Sequence, residues 1–176
     1  MEFDRKPRMA ASTRGAHAAL MTLRIHAIPE SFAEHVRHFR RDGHGNVDLT
    51  PQVVTEAHSA PCRVCLEDAR VGEAVLLCTY SPFERPGPYA TIGPIFVHAH
   101  RCTPFAPGAP MTDAIARRLL SLRAYDRGGR MVAADVIEGR ELESLAQRLF
   151  EDPAASLLHV HHARAGCFAC RIERGE

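Results

Sequence analysis

Two Cys-x-x-Cys pairs, about a hundred residues apart, constrain the fold of this chain more than any other feature of its sequence. The first pair is Cys62 and Cys65, and the second is Cys167 and Cys170. Structural zinc sites commonly take four cysteine thiolates, in a tetrahedron, from two such pairs. We therefore predict a structural zinc site formed by these four cysteines. It would hold the C-terminal segment against the middle of the chain.

Two other interpretations of the four cysteines stay open. Free cysteine is among the most buried residue types, so the four thiols can equally be core residues without a metal. The second interpretation is a redox-active pair of cysteines. A thioredoxin-like motif lies at the start of a helix that follows a strand, and neither pair has that setting. Neither pair carries the glycine typical of a zinc-knuckle turn. Residues i and i+3 of a flat strand point to opposite faces, so Cys167 and Cys170 can bind one metal only from a turn.

The composition indicates a single globular domain with no special class of macromolecular partner. Its 176 residues suit one substantial core, and 22 basic against 21 acidic side chains give a net charge of +1. This balance predicts no nucleic-acid and no anionic-membrane partner. No apolar run approaches the ~20 residues that span a bilayer, and residues 1–20 lack the apolar core of a secretory signal. We expect a flexible extension over residues 1–20 and a cytoplasmic protein with reduced cysteines.

Hydrophobic periodicity predicts more strand than helix. Strands are expected over residues 22–28, 53–55, 73–80, 95–101, 120–125, 130–137, 157–162 and 167–172. Paired glycines at Gly128 and Gly129 predict a tight hairpin turn within this series. One helix begins near Ser31 and the other carries Leu142, Leu145 and Leu149 on one face. Without regular βα alternation, this order predicts an α+β fold: a mostly antiparallel sheet with two main helices, in one domain over residues 21–176.

Histidines on two of these strands form a second candidate site. Alternation places side chains of the same parity on one face of a strand. The residues concerned are His98, His100 and Cys102 on one strand, and His159 and His161 on the other. If the two strands were neighbours, they would form a histidine-rich wall able to bind a transition metal or act as general bases. Histidine is also common on the solvent face of a half-exposed strand, so these histidines can equally be surface residues without a function.

Two further functions remain as alternatives to a structural zinc site. Cys102 with His98 or His100 resembles the nucleophile and base of a cysteine enzyme, although no third, orienting group is evident. The loop over residues 81–94 holds four prolines and two glycines, so it can shape a pocket for a small ligand in a metal-free binding module. The chain has no phosphate loop, dinucleotide fingerprint or hydrolase motif, so the sequence does not name a reaction.

Several ordered blocks of sequence resemble a bacterial family of uncharacterised proteins, domain-of-unknown-function family 1203. The blocks are Pro61-Cys62-Arg63, Leu66-Glu67-Asp68-Ala69, Gly93-Pro94-Ile95-Phe96-Val97, Leu122-Arg123-Ala124-Tyr125-Asp126, His159-Val160-His161 and Gly166-Cys167-Phe168. The resemblance covers residues 22–174 and implies one intact domain without an assigned activity. The family's pattern has Cys at the positions of Cys62 and Cys167, but often Ser or Ala at those of Cys65 and Cys170. That implies that a four-cysteine site would belong to a subset of the family.

Overall fold

The computed structural model describes residues 21–175, so the extension predicted over residues 1–20 lies outside the described residues. Within that range, eight strands and three α-helices form, together with one short 3-10 helix over Gly139–Glu141. In chain order they are β1 (Leu23–His26), α1 (Glu30–Phe39), β2 (Gln52–Val53), β3 (Ala74–Tyr80), β4 (Gly93–His98), α2 (Asp113–Ala116), β5 (Leu119–Tyr125), β6 (Met131–Glu138), α3 (Leu142–Leu149), β7 (Leu157–His162) and β8 (Phe168–Arg174).

The strands form two antiparallel sheets. The larger sheet has the order β1-β8-β7-β5-β6, and the smaller has the order β2-β3-β4. The predicted hairpin is confirmed as β5 and β6. In its turn, the Asp126 carboxylate accepts the backbone N–H groups of Gly128 at 2.8 Å and Arg130 at 2.9 Å. Gly129 adopts a positive φ of 76°, which a residue without Cβ reaches at little cost.

The larger sheet packs against α3. Leu142, Leu145 and Ala146 are buried on one face of the helix, as the i, i+3, i+4 spacing predicts. They join a core that includes Leu122 of β5 and Leu158 of β7. Burial of each large aliphatic side chain contributes about 1.5–3 kcal/mol, so this face anchors the helix to the sheet.

The smaller sheet packs against α1. Ala33 and Val36 of the helix are fully buried beside Leu76 of β3 and Val97 of β4. Phe168, the first residue of β8, joins this second core from the larger sheet, and its ring lies 5.8 Å from that of Tyr80. The start of β8 therefore touches both sheets.

The predicted α+β class is confirmed, with strands dominant and all strand pairs antiparallel. The two main helices form where the periodicity places them, and α2 is a third helix of four residues before β5. None of the helices between residues 21 and 175 combines the length and apolar character required to cross a membrane.

Candidate metal centre

Four potential metal ligands meet where the loop after residue 61 lies against the end of β4. They are Cys62, Cys65, His98 and Cys102, and their ligand atoms all lie within 4.8 Å of one another. Cys62 and His98 are buried, and the other two are partly exposed. Three thiols and one imidazole make up a donor set that zinc prefers.

The loop over residues 61–68 is a closed turn that brings both of its cysteines to one side. Pro61 pairs with Asp68, and the Cys62 N–H donates to the Glu67 carbonyl at 2.8 Å. Leu66 takes the positive φ, 59°, that a glycine would supply in a zinc knuckle. A side chain in this left-handed region costs about 1–2 kcal/mol. Because Leu66 is only 3% exposed, its burial in the larger core offsets that cost.

Backbone hydrogen bonds hold this loop to both neighbouring segments. The Arg63 N–H donates to the Phe96 carbonyl of β4, and the Arg63 carbonyl accepts the Ile28 N–H, each at 3.0 Å. Cys62 also forms a parallel bridge with Phe96. The position of the first Cys-x-x-Cys pair over β4 is therefore set by main-chain geometry, independently of any metal.

The end of β4 brings in the other two ligands, and here the predicted strand is too long. The prediction extended it to Arg101, but it ends at His98, whose partner is Val75. Because β3 begins at Ala74, whose carbonyl accepts the Ala99 N–H, no partner strand remains beyond that point. The expectation that His98, His100 and Cys102 share one strand face is therefore wrong. The chain turns after His98 instead, and Cys102 Sγ lies 3.9 Å from Cys62 Sγ.

Two distances between ligand atoms of the cluster agree with a tetrahedral zinc site, and every other pair of ligand atoms lies within 4.8 Å. Cys62 Sγ to Cys102 Sγ is 3.9 Å, and Cys65 Sγ to His98 Nδ1 is 3.8 Å. These two pairs share no atom, so in a tetrahedron they are opposite edges. Zinc with Zn–S of about 2.3 Å and Zn–N of about 2.0–2.1 Å has edges of about 3.6–3.8 Å. The residues present therefore fit the ion.

A carboxylate and an arginine support the histidine. With Nδ1 facing Cys65, His98 Nε2 lies 3.4 Å from Glu73 Oε2. Metal-bound histidines usually donate their second ring N–H to such a group, which fixes the tautomer and the ring orientation. Arg37 of α1 donates to the His98 carbonyl at 2.9 Å and pairs with Glu30 at 2.7 Å. The first helix thus braces the strand end that presents the ligand.

The pKa shifts in the cluster indicate how many thiolates its four residues stabilise on their own. The pKa of Cys62 is well below its ordinary value, because hydrogen bonds from Cys102 and then Cys65 favour its thiolate. The pKa values of Cys65 and Cys102 are raised, chiefly by their hydrogen bonds to Cys62 and then by burial. The pKa of His98 is raised, first by its hydrogen bond to Cys62. One thiolate therefore forms readily, and a second or third needs a metal cation to balance its charge.

The second Cys-x-x-Cys pair lies elsewhere. Cys167 Sγ accepts a hydrogen bond from Arg63 Nη2 at 3.0 Å and lies 3.9 Å from His162 Nδ1. Cys170 is fully buried opposite Val160 in the larger sheet, where burial raises its pKa to about 12. Neither cysteine belongs to a ligand group in the part of the chain that the structure describes. Of the four predicted ligands, the structure thus brings Cys62 and Cys65 into the cluster and leaves Cys167 and Cys170 outside it.

The histidine-rich wall does not form, because its two strands belong to different sheets. His98 is in β4 of the smaller sheet, whereas β7 lies between β5 and β8 in the larger sheet. His159 and His161 are buried there, and burial lowers their pKa values to about 3 and about 4. His100 joins His98 and Glu73 in a second possible ligand group, but it is exposed and Glu73 is only half-buried.

All four residues of the observed cluster were predicted from the sequence, but as members of two separate candidate sites. The repeated Cys-x-x-Cys motif favoured the four cysteines, and strand alternation linked His98 to Cys102. The signal that joins them is the spacing Cys62-x-x-Cys65 followed by His98-x-x-x-Cys102, which has the local spacing of zinc ligands. Arg63 and His162 were missed altogether, since no motif marks them.

A separate cleft of about 370 Å³ lies between the proline-rich loop and the β5–β6 turn. Its lining includes Arg85, Arg127, Arg130 and Arg171. His159, Phe83 and Tyr125 also line it, with the His159 ring 4.7 Å from Phe83 and 5.0 Å from Tyr125. The loop thus lines a pocket, as the binding-module alternative requires, while ligand binding stays a prediction.

Comparison with known proteins gives a family and no closer relative. A family model with the description "Protein of unknown function (DUF1203)" matches residues 59–174. The match contains both Cys-x-x-Cys pairs, His98 and Cys102, and begins later than the resemblance seen from residue 22 onward. No curated protein and no solved structure matches the chain.

Proposed function

Because the chain belongs to this family of unknown function, we propose its biochemical role from the geometry of the cluster: it is a zinc-binding protein with a structural site. The observation that carries the proposal is the convergence of four ligand atoms within 4.8 Å, on two opposite edges of 3.8 and 3.9 Å. Cys62, Cys65, His98 and Cys102 would be the ligands. Four protein ligands complete a tetrahedron and leave no open position for a substrate, which is typical of a structural site.

The site would join two segments that are distant in sequence. Zinc would tie the turn over residues 61–68 to the chain leaving β4, beside the core under α1. Binding free energy then contributes directly to folding, because the unfolded chain has no preformed site. We also expect a reducing compartment, the cytoplasm, because structural thiolate sites depend on cysteines that stay reduced.

Metal content and thiol accessibility, measured on the same tag-free sample, test the proposal. We expect about one zinc per chain by mass spectrometry, and three thiols that react with a disulfide reagent only after chelation. Cys102→Ser should lower the zinc content, whereas Cys170→Ser should not. A protein purified without zinc that also takes up none from solution would overturn the proposal. Zinc lost in Cys170→Ser but retained in Cys102→Ser would instead favour the predicted four-cysteine set, which does not include Cys102.

A cysteine enzyme is less well supported by the same geometry. Catalysis would need a thiolate at Cys102 close to a histidine. The pKa of Cys102 is instead raised, chiefly by its hydrogen bond to Cys62, and His98 Nδ1 faces Cys65. If Cys102→Ala abolished an enzymatic activity while the zinc content and the fold stayed unchanged, the cysteine enzyme would become the better supported function.

Binding of a small anionic ligand in the cleft is a second candidate function. Its lining carries four arginines against two acidic residues, and His159 at its base is 1% exposed with Nδ1 lacking a partner among the described residues. Aromatic rings beside a guanidinium rim suit a planar ligand with an acidic group. Phenyl phosphate should raise the melting temperature further as its concentration increases, and Arg130→Gln should reduce this shift more than Arg24→Gln. No shift at millimolar phenyl phosphate would exclude this ligand class.

A further inference from the structure

Arg63, inside the first Cys-x-x-Cys pair, is a buried cation without a carboxylate partner. It is 2% exposed, and its side chain donates to the carbonyls of Phe168, at 2.7 Å, and of Pro61, and to Cys167 Sγ at 3.0 Å. Between residues 21 and 175, no carboxylate oxygen lies within 4.0 Å of its guanidinium. An arginine does not deprotonate in proteins, and an unpaired buried charge is strongly destabilising. The cation therefore requires an anion beside it.

Cys167 is the group within reach that can become that anion. The other two acceptors of the guanidinium are neutral carbonyls, whereas a thiol next to arginine ionises readily. The Cys62 thiolate also attracts Arg63, but a zinc ion at the cluster would take up that charge. The Cys167 thiolate would then be the one counter-charge left to the guanidinium among its described contacts.

The groups around Cys167 supply no competing charge. His162 Nδ1 faces the sulfur at 3.9 Å, while its Nε2 has no hydrogen-bond partner among the described residues, and the side chain is 8% exposed. Burial, then the charges of Arg63 and Arg118, lowers the His162 pKa to about 3, so this ring is neutral near pH 7. His161 Nδ1 donates to the Gly166 carbonyl at 3.0 Å, and this ring is likewise neutral near pH 7. Of the two arginines that act on His162, Arg63 donates a hydrogen bond to the Cys167 sulfur.

Cys167 is also accessible, unlike Cys170. It follows directly after the β7–β8 turn, whose residues 164–166 are exposed, and its own side chain is partly exposed. Gly166 has nothing within 4 Å of the position of a Cβ, so the approach along the turn is open. A small solute can reach the sulfur from that side.

We propose that Cys167 is a thiolate nucleophile, paired with Arg63, and a site of oxidation by hydroperoxides. The sulfur attacks one peroxide oxygen, so an S–O bond forms while the O–O bond breaks. Sulfur loses two electrons, the peroxide gains them, and the departing hydroxide, or alkoxide from an organic hydroperoxide, takes a proton from the buffer. The product is a sulfenic acid at Cys167, a reversible modification. This role goes beyond the structural zinc site, and it rests on that site in one respect: zinc takes up the charge of the Cys62 thiolate, which leaves Cys167 as the counter-charge of Arg63.

The test follows the reaction of each cysteine in the folded, zinc-loaded chain by peptide mass spectrometry. Alkylation of Cys167 by iodoacetamide should be nearly constant between pH 6.5 and 8.5. For a thiol with the ordinary pKa of about 8.5, the thiolate fraction and hence the rate rise about fifty-fold over that range. Hydrogen peroxide followed by dimedone should label Cys167 and leave Cys170, its matched neighbour, unlabelled. A steep pH dependence at Cys167, or peroxide labelling no faster than at Cys170, overturns the proposal.

Variants assign the effect to the arginine. Cys167→Ser should abolish the fast, pH-independent reaction and confirm which sulfur carries it. Arg63→Lys keeps the charge but loses the fixed guanidinium fork, so the pH midpoint at Cys167 should rise toward the ordinary value. An unchanged midpoint in folded Arg63→Lys would contradict the pairing. If that variant does not fold, the wild-type pH profile decides alone.

Discussion

The two Cys-x-x-Cys pairs have the same spacing in sequence, but their backbones differ. Cys62 and Cys65 lie on a closed turn with a left-handed residue at Leu66. Cys167 precedes β8, and Cys170 lies within it. On the turn both sulfurs reach one cluster, whereas the extended backbone sends the other pair in different directions, one toward Arg63 and one into the core. Spacing alone therefore does not make a chelating pair, because the backbone must curl around the ion.

The largest expected difference between the two pairs is the effect of replacing one buried cysteine in each. Cys62 and Cys170 are both fully buried, so serine at either site introduces the same hydroxyl into a core. Cys62→Ser should abolish zinc binding and lower the free energy of unfolding by several kcal/mol, since structural zinc contributes about 10–16 kcal/mol in zinc-finger peptides. Cys170→Ser should retain zinc. Metal analysis and urea unfolding of both variants test this. Loss of zinc in both variants would contradict the proposed difference between Cys62 as a ligand and Cys170 as a core residue.

Acid should affect the region of the second pair through its buried histidines. His159, His161 and His162 have pKa values of about 3, 4 and 3, below the 6.5 of an unfolded chain. The unfolded state thus binds more protons than the folded state as pH falls below about 6.5. Stability is present above that pH and is lost toward pH 4, by about 1.4 kcal/mol per pH unit for each histidine.

A matched variant separates this effect from acid release of zinc. His159→Phe suits an aromatic environment, and the wild type and the variant share the same zinc ligands. The slope of unfolding free energy between pH 6 and pH 4.5 should fall by about 1.4 kcal/mol per pH unit in the variant, which is the share of one histidine. Equal slopes would mean that His159 is protonated in the folded protein.

A smaller effect should appear at the carboxylate that supports the first pair's histidine. Glu73→Gln keeps the size of the side chain but removes the charge facing His98 Nε2. Zinc affinity should fall about 10–100-fold, as for other partners of metal-bound histidines. Competition with a chromophoric chelator measures the change in zinc affinity. The control is Glu67→Gln, because Glu67 is an exposed glutamate of the loop that carries Cys62 and Cys65. Equal zinc affinities in the two variants would show that Glu73 does not support the zinc ligand His98.

The smallest expected effect compares the positive-φ residues near the two pairs. Gly166 has φ of 74° and open space at its Cβ position, so Gly166→Ala should cost about 1 kcal/mol of backbone strain without a clash. Leu66→Gly relieves similar strain but removes a buried side chain, so it should be net destabilising by about 1–3 kcal/mol. Urea unfolding distinguishes them, and a stabilised Leu66→Gly would show that strain outweighs packing there.

Local elements of the fold could be predicted because their signals are local. The β7 strand matches residues 157–162, and α3 follows the apolar spacing of Leu142, Leu145 and Leu149. The end of β4 could not be predicted, because it depends on where β3 begins to offer hydrogen bonds. The separation into two sheets was missed for the same reason: strand alternation shows faces but not neighbours.

The ligand chemistry of the candidate site was contained in the sequence, down to the two local spacings of its cysteines and histidine. Which of the six cysteines meet was decided only by tertiary structure. The Arg63 N–H donates to the Phe96 carbonyl and the Arg63 carbonyl accepts the Ile28 N–H, which sets the turn over β4. Because β3 begins at Ala74, the chain after His98 has no partner strand, and Cys102 can return to the cluster. A metal site requires atoms within a few ångströms, and no spacing along a chain determines a distance between segments that meet only through packing.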